Sequence, residues 1–124
     1  MTRWLMILVL HIAAAHAAWG QEIVIYTGGS GERAVDGLLA HGDVIDVIAP
    51  QAFGVRADGI VQGRVDERLL AASRDAGIRV MPLIHNPGFN QEAIHGLLDD
   101  PVAQDRMIDS LVAIGRRHAF WGWQ

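Results

Sequence analysis

Residues 43–53 read Asp43-Val44-Ile45-Asp46-Val47-Ile48-Ala49-Pro50-Gln51-Ala52-Phe53. From Asp43 to Pro50 the run is almost continuously apolar. A strand with one wet face alternates polar and apolar residues, whereas a strand covered on both faces in a parallel sheet does not. Pro50 lacks an N–H and is expected to mark the end of regular pairing. The stretch therefore predicts a doubly covered strand over 43–50 that opens into Gln51-Ala52-Phe53.

The segments on either side fit the same scheme. Upstream, Glu22–Thr27 is a short β-branched run closed by Gly28-Gly29, a strand ending in a turn. Ser30 is placed to cap a helix that turns Ala34, Val35, Leu38 and Leu39 inward. Gly42 suits the left-handed position beyond that helix. Downstream, Asp58-Gly59 signals a turn, Asp66 caps a helix whose Leu69, Leu70 and Ser73 share a face, and Gly77 ends it. A third strand over 78–84 runs into the turn-rich loop His85-Asn86-Pro87-Gly88-Phe89-Asn90.

Two helical pieces follow, one capped by Asn90 and one opened by Asp100-Pro101. In the second, Met107, Ile108, Leu111, Val112 and Gly115 are expected on one face, with Arg116-Arg117 at the end where the helix dipole favours cations. Trp121-Gly122-Trp123-Gln124 reads as the start of a fourth strand. The order is β-α-β-α-β-α-(β), and right-handed βαβ connections assemble it into a parallel sheet. Two α/β architectures accommodate it: a small open doubly wound sheet, or part of a (β/α)8 barrel, which takes about 250 residues. Periodicity does not choose between them.

Composition bounds the function. The chain has 124 residues, 51% of them hydrophobic and 19% charged, which is globular rather than disordered. A net charge of −4 gives no basic field for a phosphate backbone, so nucleic acid is not an expected partner. All ten cations are arginine. The N-terminus has Arg3, an apolar run from Trp4 to Ile12, then Ala15-His16-Ala17, the small-x-small pattern of a signal-peptidase site. The apolar run is shorter than the ~20 residues of a membrane span. Residues 1–17 thus read as a signal peptide, with cleavage at Ala17/Ala18, export to the periplasm or outside the cell, and no integral span in the mature chain. There is no Cys, so the fold relies on its core, and His41, His85, His95 and His118 have no metal-site spacing. No metal or cofactor is expected.

In either architecture ligands gather at the C-terminal ends of the strands. Those ends offer Tyr26, Gln51, Phe53, His85 and Asn86, a set able to bind a sugar through rings and amides. Ordinary loop polarity explains the same spacing. The loop Tyr26–Glu32 lacks the Lys-Ser/Thr of a phosphate loop and breaks the G-x-G-x-x-G pattern, so it reads as a structural turn. No strand end supplies a carboxylate pair for glycoside hydrolysis, and no G-x-S-x-G elbow is present. No catalytic residue is assigned.

Taken in order, Asp43–Phe53, Asp58-Gly59, Gly63-Arg-Val-Asp66, Gly77-Ile-Arg-Val-Met-Pro-Leu-Ile-His-Asn86, Phe89-Asn90, Leu97-Leu98 and Trp121–Gln124 resemble glycoside hydrolase family 18. The resemblance covers about Ile23 to Gln124. It is nearest to the branch with spore-cortex hydrolases, because the third strand ends in Pro82-Leu-Ile-His-Asn86 where many chitinases have S-x-G-G. It implies that residues 18–124 are the N-terminal portion of a (β/α)8 TIM barrel, about three βα units plus the start of strand four. It also implies hydrolysis of β-1,4 bonds beside N-acetylglucosamine, in chitin or peptidoglycan, with the substrate's own N-acetyl oxygen attacking. The family's D-x-x-D-x-D-x-E acids follow a segment like Gly122-Trp123-Gln124, so the chain is expected to stop just before them. Tyr26, Gln51, Phe53 and Asn86 become candidate walls of a sugar-binding cleft. Family barrels also suggest a cis peptide at Ala52-Phe53. Two other readings stay open: a non-catalytic glycan-binding module of the same fold, and a small open-sheet domain.

Overall fold

The computed structural model describes residues 20–28 and 31–124. The expected signal peptide and the Ser30 cap lie outside the described residues. Strand β1 (Val24–Thr27) leads to helix α1 (Gly31–His41), a 3-10 turn (Gly42–Val44) and strand β2 (Val47–Val55). Then come β3 (Val61–Gly63), α2 (Glu67–Asp75), β4 (Arg79–Val80) and β5 (Leu83–His85). A second 3-10 turn (Pro87–Phe89), α3 (Gln91–Asp99) and α4 (Pro101–His118) complete the order. This is the mixed α/β class expected.

Strand β2 organises the sheet. It pairs parallel with β1 on one side and with β4 and β5 on the other. Its residues Val47, Ile48, Ala49 and Pro50 are all buried, as the unbroken apolar run requires. The strand starts later than expected. Gly42 does not take the left-handed conformation; residues 42–44 tighten into a 3-10 turn instead. The Asp46 carboxylate accepts the Ile23 N–H at 2.8 Å and fixes the point where pairing with β1 begins.

Pro50 does not end the strand either. It pairs with Thr27, and β2 continues to Val55. The register against β5 slips between Gln51 and Phe53, an irregularity of the bulge type. A bulge is one of the few places inside a sheet that tolerates proline beside it. The Ala52–Phe53 peptide is trans, contrary to expectation, since no described peptide is cis. The bulge bends the strand while leaving the peptide trans, the form favoured by about 3–4 kcal/mol for a non-proline residue.

Beyond the bulge, β2 pairs antiparallel with β3 in a hairpin that the sequence patterns missed. Its turn is the expected Asp58-Gly59, with Gly59 at φ 79 and its N–H on the Arg56 carbonyl at 3.0 Å. The third strand breaks at Met81-Pro82 into β4 and β5. Trp121–Gln124 is not a regular strand, yet it bonds to that third strand. Trp121 N–H donates to Val80 O at 2.8 Å, Gln124 N–H to Pro82 O at 3.1 Å, and Ile84 N–H to Gln124 O at 2.9 Å.

Three helices start as predicted. Asp66, Asn90 and Asp100 each accept a first-turn N–H, from Arg68, Ala93 and Val102. Gly77 closes α2 at φ 70. Leu38, Leu69, Leu70, Ile48, Val65 and Ile78 form the main core, and Val55, Leu97 and Ala103 a smaller one under the hairpin. Two faces are rotated from expectation. Leu39 is exposed on α1, and Ile108 and Val112 are exposed on α4, where Met107 packs inward as expected and Ile114 joins it. Beside the outer edge of β1 lies an apolar cavity of about 400 Å³ whose walls include Ile23, Ile25, Leu38 and Ile48. No described strand pairs with that edge.

Candidate functional site

The parallel strands run the same way with staggered ends: Thr27 at the end of β1 is level with Pro50, and His85 at the end of β5 is level with Gly54. Tyr26 and Asn86 stand at strand ends as expected, whereas Gln51 lies in the middle of β2, level with Leu83. Tyr26 is exposed, and its hydroxyl accepts a hydrogen bond from the Gln124 side-chain amide at 2.6 Å. This contact ties the first strand to the last segment, 98 residues on. Gln51 is exposed on the wall of a cavity of about 590 Å³ that also includes Thr27, Ala34, Arg64, Val65, Asp66 and Glu67. Asn86 is half-buried and donates its side-chain N–H to the Asn90 carbonyl at 2.6 Å, which folds the loop after β5.

Phe53 is placed differently. It is 3% exposed, with its ring edge-on to Trp123 at 5.0 Å and to Phe120 at 6.2 Å. The slip at Ala52 is the physical reason. In a regular strand Gln51 and Phe53 would share a face, but the irregularity breaks that alternation and turns the ring into the core. Phe53 therefore presents no ring face to a ligand. It anchors the segment that the sequence ends on, whose Trp123 indole N–H donates to Leu111 O at 3.2 Å. Trp121 lies outside this cluster under the Arg79 guanidinium, 4.2 Å from the ring centroid.

The electrostatics of the cavity centre on Asp66. Its carboxylate receives the Arg68 guanidinium at 2.9 Å and the Arg68 backbone N–H at 2.9 Å. The side-chain bond from Arg68 is the larger cause, and together they hold Asp66 below the usual carboxylate range. Arg68 also reaches Glu32 at 3.4 Å and is raised above its ordinary value, mainly by Asp66. Gly31 fits here because a side chain would meet the Asp66 carboxylate at 2.3 Å. Asp66 was legible only as a cap, and Arg64 and Glu67 carried no signal in the sequence. At the third strand's end, His85 Nδ1 is buried without a partner among the described residues.

Gln51 thus sits on a polar, charged rim with Arg64, Asp66 and Glu67, and Tyr26 and Asn86 stand outside that lining. Such a rim can hydrogen-bond a polyhydroxylated ligand. Among the described residues no cluster of His, Asp and Glu could hold a metal ion, and no helix is long and apolar enough to cross a membrane.

Comparison with solved structures now bears on the fold. Over 82% of this chain it superposes on the Bacillus cereus spore cortex-lytic enzyme SleL, with a TM-score of 0.73 and 16% identity. Its fold is that of cortex-lytic enzymes and chitinases. A Chromobacterium violaceum chitinase matches over 84% of the chain at TM-score 0.65 and 18% identity. Chitinase ChiC from Aspergillus fumigatus matches over 85% at TM-score 0.62 and 19% identity. These neighbours agree with the family 18 resemblance read from the sequence. The chain spans 26%, 34% and 43% of those three structures' own lengths. No protein-family profile and no curated protein matches it.

Proposed function

We propose that the chain is the N-terminal portion of a (β/α)8 barrel glycosidase acting on β-1,4-linked glycans that contain N-acetylglucosamine, chitin or peptidoglycan. The observation that carries this reading is the fold likeness to SleL over 82% of the chain, set against the 26% of SleL that it spans. The outer edge of β1, which no described strand pairs with, and the apolar cavity beside it support a larger sheet, since an open apolar edge invites association. The Tyr26–Gln124 bond supports a curled one. Three strand spacings, roughly 14 Å in a flat sheet, separate the first strand from the last segment.

In this reading Tyr26, Gln51 and Asn86 line the sugar cleft, and Phe53 holds its floor from the core. The catalytic acids follow Gln124, and the substrate's N-acetyl oxygen attacks in a retaining, substrate-assisted step. In this reading cleavage belongs to the longer protein that supplies those acids. The signal peptide sends the protein out of the cytoplasm, to where such glycans lie.

The test is incubation of the full-length protein with N-acetylglucosamine oligosaccharides and with peptidoglycan, followed by NMR of the fresh products. The β-anomer as first product supports the reading. Binding without cleavage makes the protein a lectin of this fold, and neither binding nor cleavage overturns the glycan assignment.

A further inference from the structure

The end of the sheet where the parallel strands begin carries a cavity of its own. Arg79 opens β4 there, level with Val47 at the start of β2. At ~3.3 Å per residue, Arg79 lies roughly 20 Å from His85 at the other end of the third strand. The cavity, about 620 Å³, occupies the groove between α2 and α4 and shares no lining residue with the Gln51 cavity. Its volume is in the range of small-molecule sites, about 300–1,000 Å³. Leu70, Ile78, Val80 and Phe120 give it an apolar wall. Its charged side chains are all basic: Arg74 from α2, Arg79 from β4 and Arg116 from α4, with His118 beside them. No carboxylate lines it.

Helix dipoles explain part of this. Arg74 and Arg116 stand in the last turns of α2 and α4, where cations are favoured. The dipoles do not explain why both share one cavity with a strand arginine, in a chain of net charge −4. Like charges gathered in this way repel one another. Among the described residues, neither Arg74 nor Arg116 forms an ion pair with a carboxylate. Arg79 pairs with Glu22, but the two side chains are 40% and 42% exposed, and such a pair contributes little and is readily exchanged for a ligand. The aromatic side of the groove is also open. Trp121 is 51% exposed, with the Arg79 guanidinium over its ring. His118 stacks on Phe120, 5.3 Å between centroids, and so presents an imidazole backed by a ring.

A carboxylate carries one charge and is satisfied by a single guanidinium fork. Three arginines from three separate elements suit a group with more charge and more acceptor oxygens. Phosphate, with nearly two charges and three free oxygens, is that group. We propose that the groove between α2 and α4 binds a small organic phosphate, its phosphoryl oxygens taken by Arg74, Arg79 and Arg116 and its body lying against Val80, Phe120 and Trp121. The site is independent of the glycan reading and lies at the other end of the sheet from it.

The experiment is calorimetric titration of the full-length protein with phenyl phosphate, inorganic phosphate and benzoate, in low and in high salt. Wild type is expected to bind phenyl phosphate more tightly than either of the others, and to lose affinity as salt rises. Arg74→Ala and Arg116→Ala should each weaken phenyl phosphate about five- to tenfold, the loss of one charge-assisted contact. Trp121→Ala should bring phenyl phosphate down toward inorganic phosphate. All three side chains are exposed, so the thermal midpoints of these variants should stay near that of wild type. No binding of phenyl phosphate by wild type overturns the site. Benzoate binding as tight as that of phenyl phosphate overturns the choice of phosphate. Inorganic phosphate binding as tight overturns the organic body. Binding that neither arginine variant weakens puts the anion elsewhere and overturns the groove. The wild-type ranking of the three ligands decides the ligand class whether or not the variants fold.

Discussion

Phe53→Ala separates a core role from a cleft role. A phenylalanine buries roughly 150–250 Å², and at about 25 cal/mol per Å² that is worth ~4–6 kcal/mol as an upper bound. Phe-to-Ala changes in packed cores cost about 3–5 kcal/mol. Phe53 is 3% exposed and touches both Phe120 and Trp123 edge-on, so the loss should fall near ~4 kcal/mol. Urea titration of the full-length protein, followed by tryptophan fluorescence and by circular dichroism, reads it. With a slope of about 1–3 kcal/mol per molar, the midpoint should drop by more than ~1 M. A drop below ~0.3 M together with lost oligosaccharide binding would refute the reasoning and return Phe53 to the cleft wall.

Three further outcomes follow from the same structure. Gly59→Ala should cost more than the roughly 1–2 kcal/mol of a left-handed alanine, because its Cβ would lie 2.0 Å from the Ala103 carbonyl oxygen; a thermal midpoint within a degree of wild type contradicts this. Asp66→Asn should destabilise at neutral pH. The folded carboxyl is held below its ordinary value, so its contribution is present above the unfolded pKa and fades as pH falls through the folded one. The gap between wild type and variant should therefore close in acid, and a gap that widens there would reverse the sign. Residues 18–124 expressed alone should self-associate or melt without cooperativity, since Ile23, Ile25 and Val44 are exposed beside an edge of β1 that no described strand pairs with. A sharp melt of a monomer by ultracentrifugation and calorimetry would revive the small open-sheet domain.

Local signals carried most of the architecture. Asp66, Asn90 and Asp100 cap as read, because a cap needs only its own first turn. The unbroken apolar run predicted the doubly covered β2 for the same reason. What failed depended on partners. The irregularity at Ala52 exists only relative to β5, and it redirected Phe53 and carried the strand past Pro50. The β3 strand is three residues long and forms only against β2. Ile108 and Val112 show that a helix period gives the spacing of a face and leaves open which way it points. At the site, Tyr26 and Asn86 lie at strand ends because strand ends follow from strand order, whereas Gln51 lies inside β2, which runs on past Pro50 to Val55.

The central claim is that this chain is the opening part of a glycan-hydrolysing barrel. The most direct measurement is the coding sequence across and beyond the Gln124 codon. The account predicts an open frame that continues at once into an Asp-Phe-Glu-like acidic run and then the remaining βα units. A stop codon directly after Gln124, in a chain that folds as a stable monomer, would contradict it.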